Sequence, residues 1–209
     1  LFWHVSARKT ANTFARHARE GNQTMTMLII LGILGAAVFF VIGIYNGLIK
    51  ARQMVKEAWS GIDVQLKRRS DLIPNIVESI KGYAGHEKDT LREVTEMRTR
   101  VQAVPEGDIA GRAIAEGLLG QALGKLMAVA EAYPDLKANE NFLQLQQTLD
   151  KIEGEVQMSR RYYNGAARAL NVKVESFPSN LVANYFKFQT AEFFEIEDAG
   201  DRTVPEVKF

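Results

Sequence analysis

The stretch GNQTMTMLIILGILGAAVFFVIGIYNGLI, residues 21–49, decides the fold. It carries no charge, and residues 27–45 within it hold only Met, Leu, Ile, Gly, Ala, Val, Phe and a closing Tyr45. At about 1.5 Å per residue that core makes a helix roughly 28 Å long, close to the ~30 Å hydrocarbon thickness of a bilayer. Tyr45 and Asn46, then Lys50 and Arg52, supply the aromatic and basic collar expected where such a helix leaves the lipid. A cleavable signal peptide fits poorly, because the run exceeds the usual core of about 7–15 residues and Gly43-Ile44-Tyr45-Asn46 offers no small-x-small cleavage site. Residues 25–49 are therefore read as a transmembrane anchor. The chain has no Cys, which excludes a lipoprotein linkage, disulfides, a thiol nucleophile and a Cys-based metal site.

Residues 1–24 read as a basic tail (Arg8, Lys9, Arg16, Arg19) without helical periodicity. Met25 and Met27 stand at the start of the apolar run, and translation beginning there would leave the tail outside the native protein. The choice bears on topology. With the tail, basic residues nearly balance across the span; without it, Lys50, Arg52 and Lys56 favour a cytoplasmic C-terminal part, the reading preferred here.

Past the anchor, about 160 residues remain, enough for one domain. Charged residues make up 24% with a net of only +1, which gives no reason to expect nucleic acid as a partner. Alternating β-branched stretches are scarce, whereas apolar residues recur at helical steps through Trp59, Ile62, Leu66, Ile73, Ile76, Ile80, Tyr83, Leu91, Val94, Met97 and Val101, with Glu87 one polar slip. This register predicts one long helix continuous with the anchor and kinked near Pro74. The rival reading turns at Gly82 to Gly85 and makes two helices. Asp63 with Lys67 and Glu96 with Arg100 are expected as surface pairs, and Lys67-Arg68-Arg69 as a solvated helix face.

Val104-Pro105-Glu106-Gly107-Asp108 breaks the pattern, with Asp108 placed as N-cap of the next helix. That helix, residues 109–133, carries few charges and a stripe of small residues at Ala113, Gly117, Gly120 and Gly124. Each helical Gly costs about 1 kcal/mol relative to Ala, so close approach of a neighbouring helix is expected at Gly117, Gly120 and Gly124, which are candidate packing or interaction positions. The alternative is that they merely loosen the helix.

After the turn Tyr133-Pro134-Asp135, a third helix shows a heptad-like seam through Phe142, Leu145, Leu149, Ile152, Val156, Ser159, Tyr163, Ala166 and Leu170. Arg160, Arg161 and Tyr162 on this helix are candidate partner contacts, the alternative being solvated arginines beside a core Tyr163. A turn at Phe177-Pro178-Ser179-Asn180, capped by Ser179 or Asn180, leads into a short helix over residues 181–188 whose Tyr185, Phe186 and Phe188 should dock on the bundle. The chain is thus expected to be all-α. An N-terminal transmembrane helix continues into an antiparallel up-and-down bundle of three long helices, or four if the first one turns, over residues 50–190, and residues 191–209 form a mobile acidic tail.

No catalytic constellation is complete. His86-Glu87 lacks the second His of H-E-x-x-H, and no Glu-x-x-His pair exists for a di-iron bundle site. Gly120 to Lys125 has the wrong spacing for a phosphate loop and lies within a helix. No catalytic residue, metal ligand, cofactor or small-molecule substrate is expected.

The chain from about Tyr45 to Glu195 resembles the LemA family of bacterial membrane-anchored proteins. The resemblance is carried by Tyr45-Asn46, Ala58-Trp59, Asp63-Val64-Gln65-Leu66-Lys67-Arg68-Arg69, Asp71-Leu72-Ile73-Pro74-Asn75, Lys81-Gly82-Tyr83, His86-Glu87, Tyr133-Pro134-Asp135-Leu136-Lys137-Ala138, Arg160-Arg161-Tyr162-Tyr163-Asn164 and Phe177-Pro178. Leu170-Asn171 departs from it, since members often carry a second Tyr-Asn there. The resemblance implies an N-terminal span, an antiparallel bundle of long helices and no established catalysis. A related magnetosome membrane protein implies roles in organising membranes. The expected function is a non-enzymatic single-pass scaffold or adaptor of the bacterial inner membrane, partnered by the lipid bilayer and by a membrane protein or further copies of itself. Gly43-x-x-x-Gly47 and Gly32-x-x-x-Ala36 are small-residue pairs suited to such self-association in the bilayer. The alternative is a regulatory subunit of a membrane protease complex, or a cryptic enzyme sharing its site with a partner.

Overall fold

The computed structural model describes residues 2–85 and 87–195, with side chains from residue 25 onward. Their regular structure is wholly α-helical: α1 (Phe2–Lys81), α2 (Lys88–Gln102), α3 (Ile109–Glu131), the single turn α4 (Pro134–Lys137), α5 (Glu140–Glu175) and α6 (Ser179–Tyr185). The apolar run expected as the anchor and the first bundle helix are one element. The 57 residues of α1 from Met25 to Lys81 extend roughly 85 Å.

The expected long helix does not continue past Lys81, so the bundle has four long helices rather than three. A turn over residues 82–85 ends α1, with Tyr83 and Ala84 both donating backbone N–H groups to the Ile80 carbonyl. The apolar register runs from Ile80 through Tyr83 to Leu91, but the residue buried in this turn is Ala84. Ile80, Ala84 and Leu91 keep steps of 4 and 7 while belonging to different elements. Tyr83, by contrast, lies 43% exposed, its hydroxyl accepting from Asn139 Nδ2 at 3.1 Å.

Pro74 sits inside α1 without ending it. Proline has no N–H for the carbonyl four residues back, here Ser70. That carbonyl is served instead from α2, where Arg98 Nε donates to it at 2.8 Å.

The loop before α3 turns at Gly107, whose φ of +91° lies in the left-handed region that favours glycine. Asp108 caps α3 as expected, accepting from the Gly111 N–H at 2.8 Å. A Cβ at Gly111 would press on that carboxylate, so a larger residue there would make the Asp108 side chain shift. Asn139 caps α5 in the same way through the Phe142 N–H.

Helix α5 runs back antiparallel to α1, and the two share three stacked apolar layers. Farthest from the anchor, Ile73, Ile76 and Ile80 of α1 meet Val94 of α2, Leu119 and Leu126 of α3 and Phe142 of α5. In the middle layer, Ile62 and Leu66 pack with Ile152, Val156 and Tyr163, joined by Phe194 from the C-terminal segment. Nearest the anchor, Leu48 and Ala51 pack with Leu170 and Val174 of α5, Val182 and Ala183 of α6, and Phe188. Helix α3 is apolar enough to pass as a second candidate span, but 44% of its most hydropathic window is buried inside the bundle, which marks it as a core helix.

Helix α6 ends at Tyr185 instead of reaching residue 188, and neither Ser179 nor Asn180 caps it; Pro178 occupies that position. The segment after it is held rather than mobile as far as it is described. Residues 188–195 pass back over α1 and α5, burying Phe188 and Phe194, with Trp59 tilted against Phe194 at 5.8 Å between ring centroids and edge-on to Tyr163 at 5.5 Å. The rest of the expected acidic tail, residues 196–209, lies outside the described residues.

Candidate functional site

Helix α1 brings a guanidinium into the bundle where the apolar stripe skips from Leu66 to Ile73. Arg69, expected on a solvated face, is 3% exposed and ion-paired with Glu116 of α3, itself 1% exposed. Its other terminal nitrogen donates to both oxygens of Glu153 on α5 at 2.8 and 3.0 Å. Glu116 is further held by Arg112 Nε at 2.9 Å, and Arg112 reaches Asp63 of α1 at 3.6 Å. Burial alone would push the Arg69 guanidinium down from its ordinary range, but the Glu116 and Glu153 carboxylates outweigh burial and hold it higher. Of its donors only Nε has no partner.

This centre joins α1, α3 and α5: Arg69 and Arg112 balance Glu116 and Glu153, the pairing under which buried ions persist, and Asp63, 52% exposed, adds a further carboxylate at the rim. What it offers chemically is fixed register between three helices rather than a poised acid or base. Sequence reading missed it, although two signals existed. Arg69 falls three residues after Leu66 and four before Ile73, inside the apolar register, and Glu116 is one of few charges on a nearly uncharged helix.

A second constellation fastens the C-terminal segment. Asn164 and Asn171, two helical turns apart on one face of α5, each grip a backbone residue by both its groups. The Ala191 N–H donates to Asn171 Oδ1 at 2.7 Å while Asn171 Nδ2 donates to the Ala191 carbonyl at 2.9 Å. Asn164 does the same for Phe194, at 2.9 and 3.2 Å. Between them, the Tyr163 hydroxyl donates to the Glu192 carbonyl at 2.8 Å. Burial, aided by the Glu192 carboxylate, pushes the Tyr163 phenol above its ordinary value of 10.0. Leu170, where a second Tyr was expected from the family pattern, is buried in the layer nearest the anchor.

The candidate positions chosen from sequence do not converge on one site. Gly117 and Gly120 are half-buried and Gly124 is exposed. A Cβ at Gly120 or Gly124 would meet nothing within 4 Å, so the close helix approach expected there does not occur among the described residues. Arg160 is half-buried, Arg161 exposed and Tyr162 54% exposed. Tyr163 beside them is a core residue. The surface pairs also differ from expectation: Asp63 faces Arg112 rather than Lys67, and Glu96 faces Arg92 rather than Arg100.

Among the described residues, no group of three or more His, Cys, Asp or Glu side chains is placed to share a metal ion. His86 lies outside the described residues.

Along α1, the large apolar side chains from Met25 to Ile42 are all uncovered, Phe39 being 77% exposed and Leu28 68%. Such a sleeve far exceeds the few hundred Å² of apolar patch that a water-soluble surface usually carries.

Comparison with known proteins places these features in context. Residues 58–209 match the LemA family. Magnetosome protein MamQ 2 of Paramagnetospirillum magneticum is 26% identical over 212 aligned positions, covering 89% of this chain and 78% of the relative. Magnetosome protein MamQ of Magnetospirillum gryphiswaldense is 23% identical with the same coverage. Protein LemA of Metamycoplasma hominis is 26% identical over 172 positions, covering 82% of this chain and 78% of the relative.

Proposed function

Because the chain belongs to the LemA family, we propose that it is a non-enzymatic, single-pass, membrane-anchored scaffold or adaptor of the bacterial inner membrane. The observation that carries this reading is the uncovered apolar sleeve of α1, which continues without interruption into the bundle. Lipid satisfies that sleeve, and the collar of Tyr45, Lys50 and Arg52 sets where it ends. The basic residues after the sleeve favour a cytoplasmic bundle.

The buried charges support a structural role, since Arg69, Glu116 and Glu153 are engaged with one another rather than turned toward a substrate. Kinship with relatives named as magnetosome proteins supports a part in assembly. The faces offered to a membrane-protein partner or a second copy are Arg161 and Tyr162 on α5 and the open glycine positions of α3.

The test uses the full chain in native membranes. Alkaline carbonate should leave it in the pellet, and a photo-crosslinker at Tyr162 should trap a second copy or a membrane protein. Release by carbonate would remove the anchor, and crosslinking that yields only monomer would remove the scaffold.

A further inference from the structure

The segment where α5 gives way to α6 lies at the level where α1 leaves the lipid. Counting about 30 Å of hydrocarbon from Met25 at about 1.5 Å per residue places the far boundary near Ile44. The elbow packs on α1 at that height. Val174, Val182, Ala183 and Phe188 cover Leu48 and Ala51, and the Tyr45 ring packs at a tilt against Phe186, centroids 4.7 Å apart. Lys173 Nζ donates to the Gly47 carbonyl at 3.2 Å. Lys173 and Ser179 of the elbow share a groove with Phe39, Phe40, Gly43 and Ile44, which reaches into the apolar run itself.

The outer face of this elbow is apolar and uncovered. Phe177 and Tyr185 are each 80% exposed and Leu181 is 61% exposed, so Phe177 and Tyr185 exceed every other large apolar side chain among the described residues, the anchor included. Within α6 the spacing of four residues puts Leu181 and Tyr185 on one side, opposite the buried Val182 and Ala183, and Phe177 stands exposed in the turn that leads into the helix. Tyrosine and other aromatic rings favour the headgroup level of a bilayer, and lysine can keep its stem in apolar surroundings while its ammonium reaches the lipid phosphate.

We infer that the elbow is a second membrane contact: Phe177, Leu181 and Tyr185 enter the interfacial layer of the membrane that holds α1, with Lys173 beside the lipid phosphates. The occupant is fixed by continuity, because the stripe abuts the stretch of α1 that emerges from that same bilayer. The inference rests on the anchor reading. It adds that the bundle is tied to the membrane at two points, which sets how it is rotated about α1.

The test exploits the absence of cysteine. Single-Cys variants of the full chain, Phe177→Cys, Leu181→Cys and Tyr185→Cys, are spin-labelled and reconstituted into vesicles of phosphatidylethanolamine and phosphatidylglycerol. Val38→Cys marks the lipid interior and Gln147→Cys the solvent. All five side chains are exposed, so the labels leave packing intact. Collision with an aqueous nickel chelate should be severalfold lower at the three elbow positions than at Gln147, and collision with oxygen should lie between the values for Gln147 and Val38. Nickel access equal to that of Gln147 while Val38 stays shielded would overturn the inference and leave the anchor standing. Shielding from both nickel and oxygen would also overturn it, because protein would then cover the stripe. Nickel access at Val38 as well would remove the anchor and the inference together.

Discussion

Arg98 of α2 donates its Nε–H to the carbonyl of Ser70 in α1 at 2.8 Å, the carbonyl that Pro74 leaves without its helical partner. A defect that would weaken an isolated helix thereby becomes a docking point for its neighbour. Truncating the arginine as Arg98→Met should destabilise the bundle by about 1.5–3 kcal/mol, the range for a hydrogen bond from a charged group. In a Pro74→Ala background, where the backbone N–H is restored, the same truncation should cost measurably less. A double-mutant cycle on denaturant unfolding reads the coupling. Equal costs in both backgrounds would disconnect the two residues.

The pair of Arg69 and Glu116 makes a different demand. Replacing Arg69 by Met leaves Glu116 buried beside Arg112 alone, and breaking a buried pair from one side costs about 3–5 kcal/mol. The double replacement Arg69→Met with Glu116→Leu should recover much of that loss, since Glu153 is 36% exposed and can take up water. Unfolding midpoints of the two variants check it.

For the C-terminal segment, the sharpest probe is amide exchange. The Ala191 and Phe194 N–H groups each donate to one asparagine side chain. Asn171→Ala should accelerate exchange at Ala191 more than at Phe194, and Asn164→Ala the reverse. Uniform acceleration in both variants would mean that the segment opens as a unit.

At Gly120 the structure inverts the expectation drawn from sequence. With no atom within 4 Å of the place a methyl group would take, Gly120→Ala removes the helical cost of glycine without overpacking. The isolated chain should gain about 1 kcal/mol, or roughly 2–4 °C in melting temperature. A lower melting temperature would show that something closes on that position.

Alkaline stability should depend on Tyr163. Its pKa is raised in the folded state by burial and then by Glu192, so folding favours the neutral phenol. The contribution is complete below the unfolded value near 10 and is lost as pH rises through the folded value. Tyr163→Phe should flatten the decline of the unfolding midpoint above pH ~10, while costing about 1 kcal/mol at neutral pH for the lost bond to the Glu192 carbonyl.

The long apolar helix, the α2–α3 break and the seam of α5 were all legible, because each is written as periodicity or as a single run of one chemistry. Asp108 announced its cap in the same local way. Features set by pairing between distant residues were not. The turn after Lys81 was hidden because Ile80, Tyr83 and Leu91 keep helical steps across it, and Arg69 looked like its neighbours Lys67 and Arg68 until α3 and α5 supplied carboxylates. Asn164 and Asn171 carry no local sign that they hold a chain segment some 20 to 30 residues further on. The glycines of α3 misled for the opposite reason: their spacing is regular, yet none of the described residues lies against Gly120 or Gly124.

Helix α1 enters the bundle from the apolar sleeve without a hinge, and its end at Lys81 stands about 55 Å beyond Ile44. A tilt of about 10°, well within what spanning helices adopt to match local bilayer thickness, would sweep that end roughly 10 Å sideways. With α1 spanning the bilayer as proposed, hydrophobic mismatch in the lipid would become lateral travel at the far tip, α1 acting as a lever between membrane thickness and whatever stands beside the bundle.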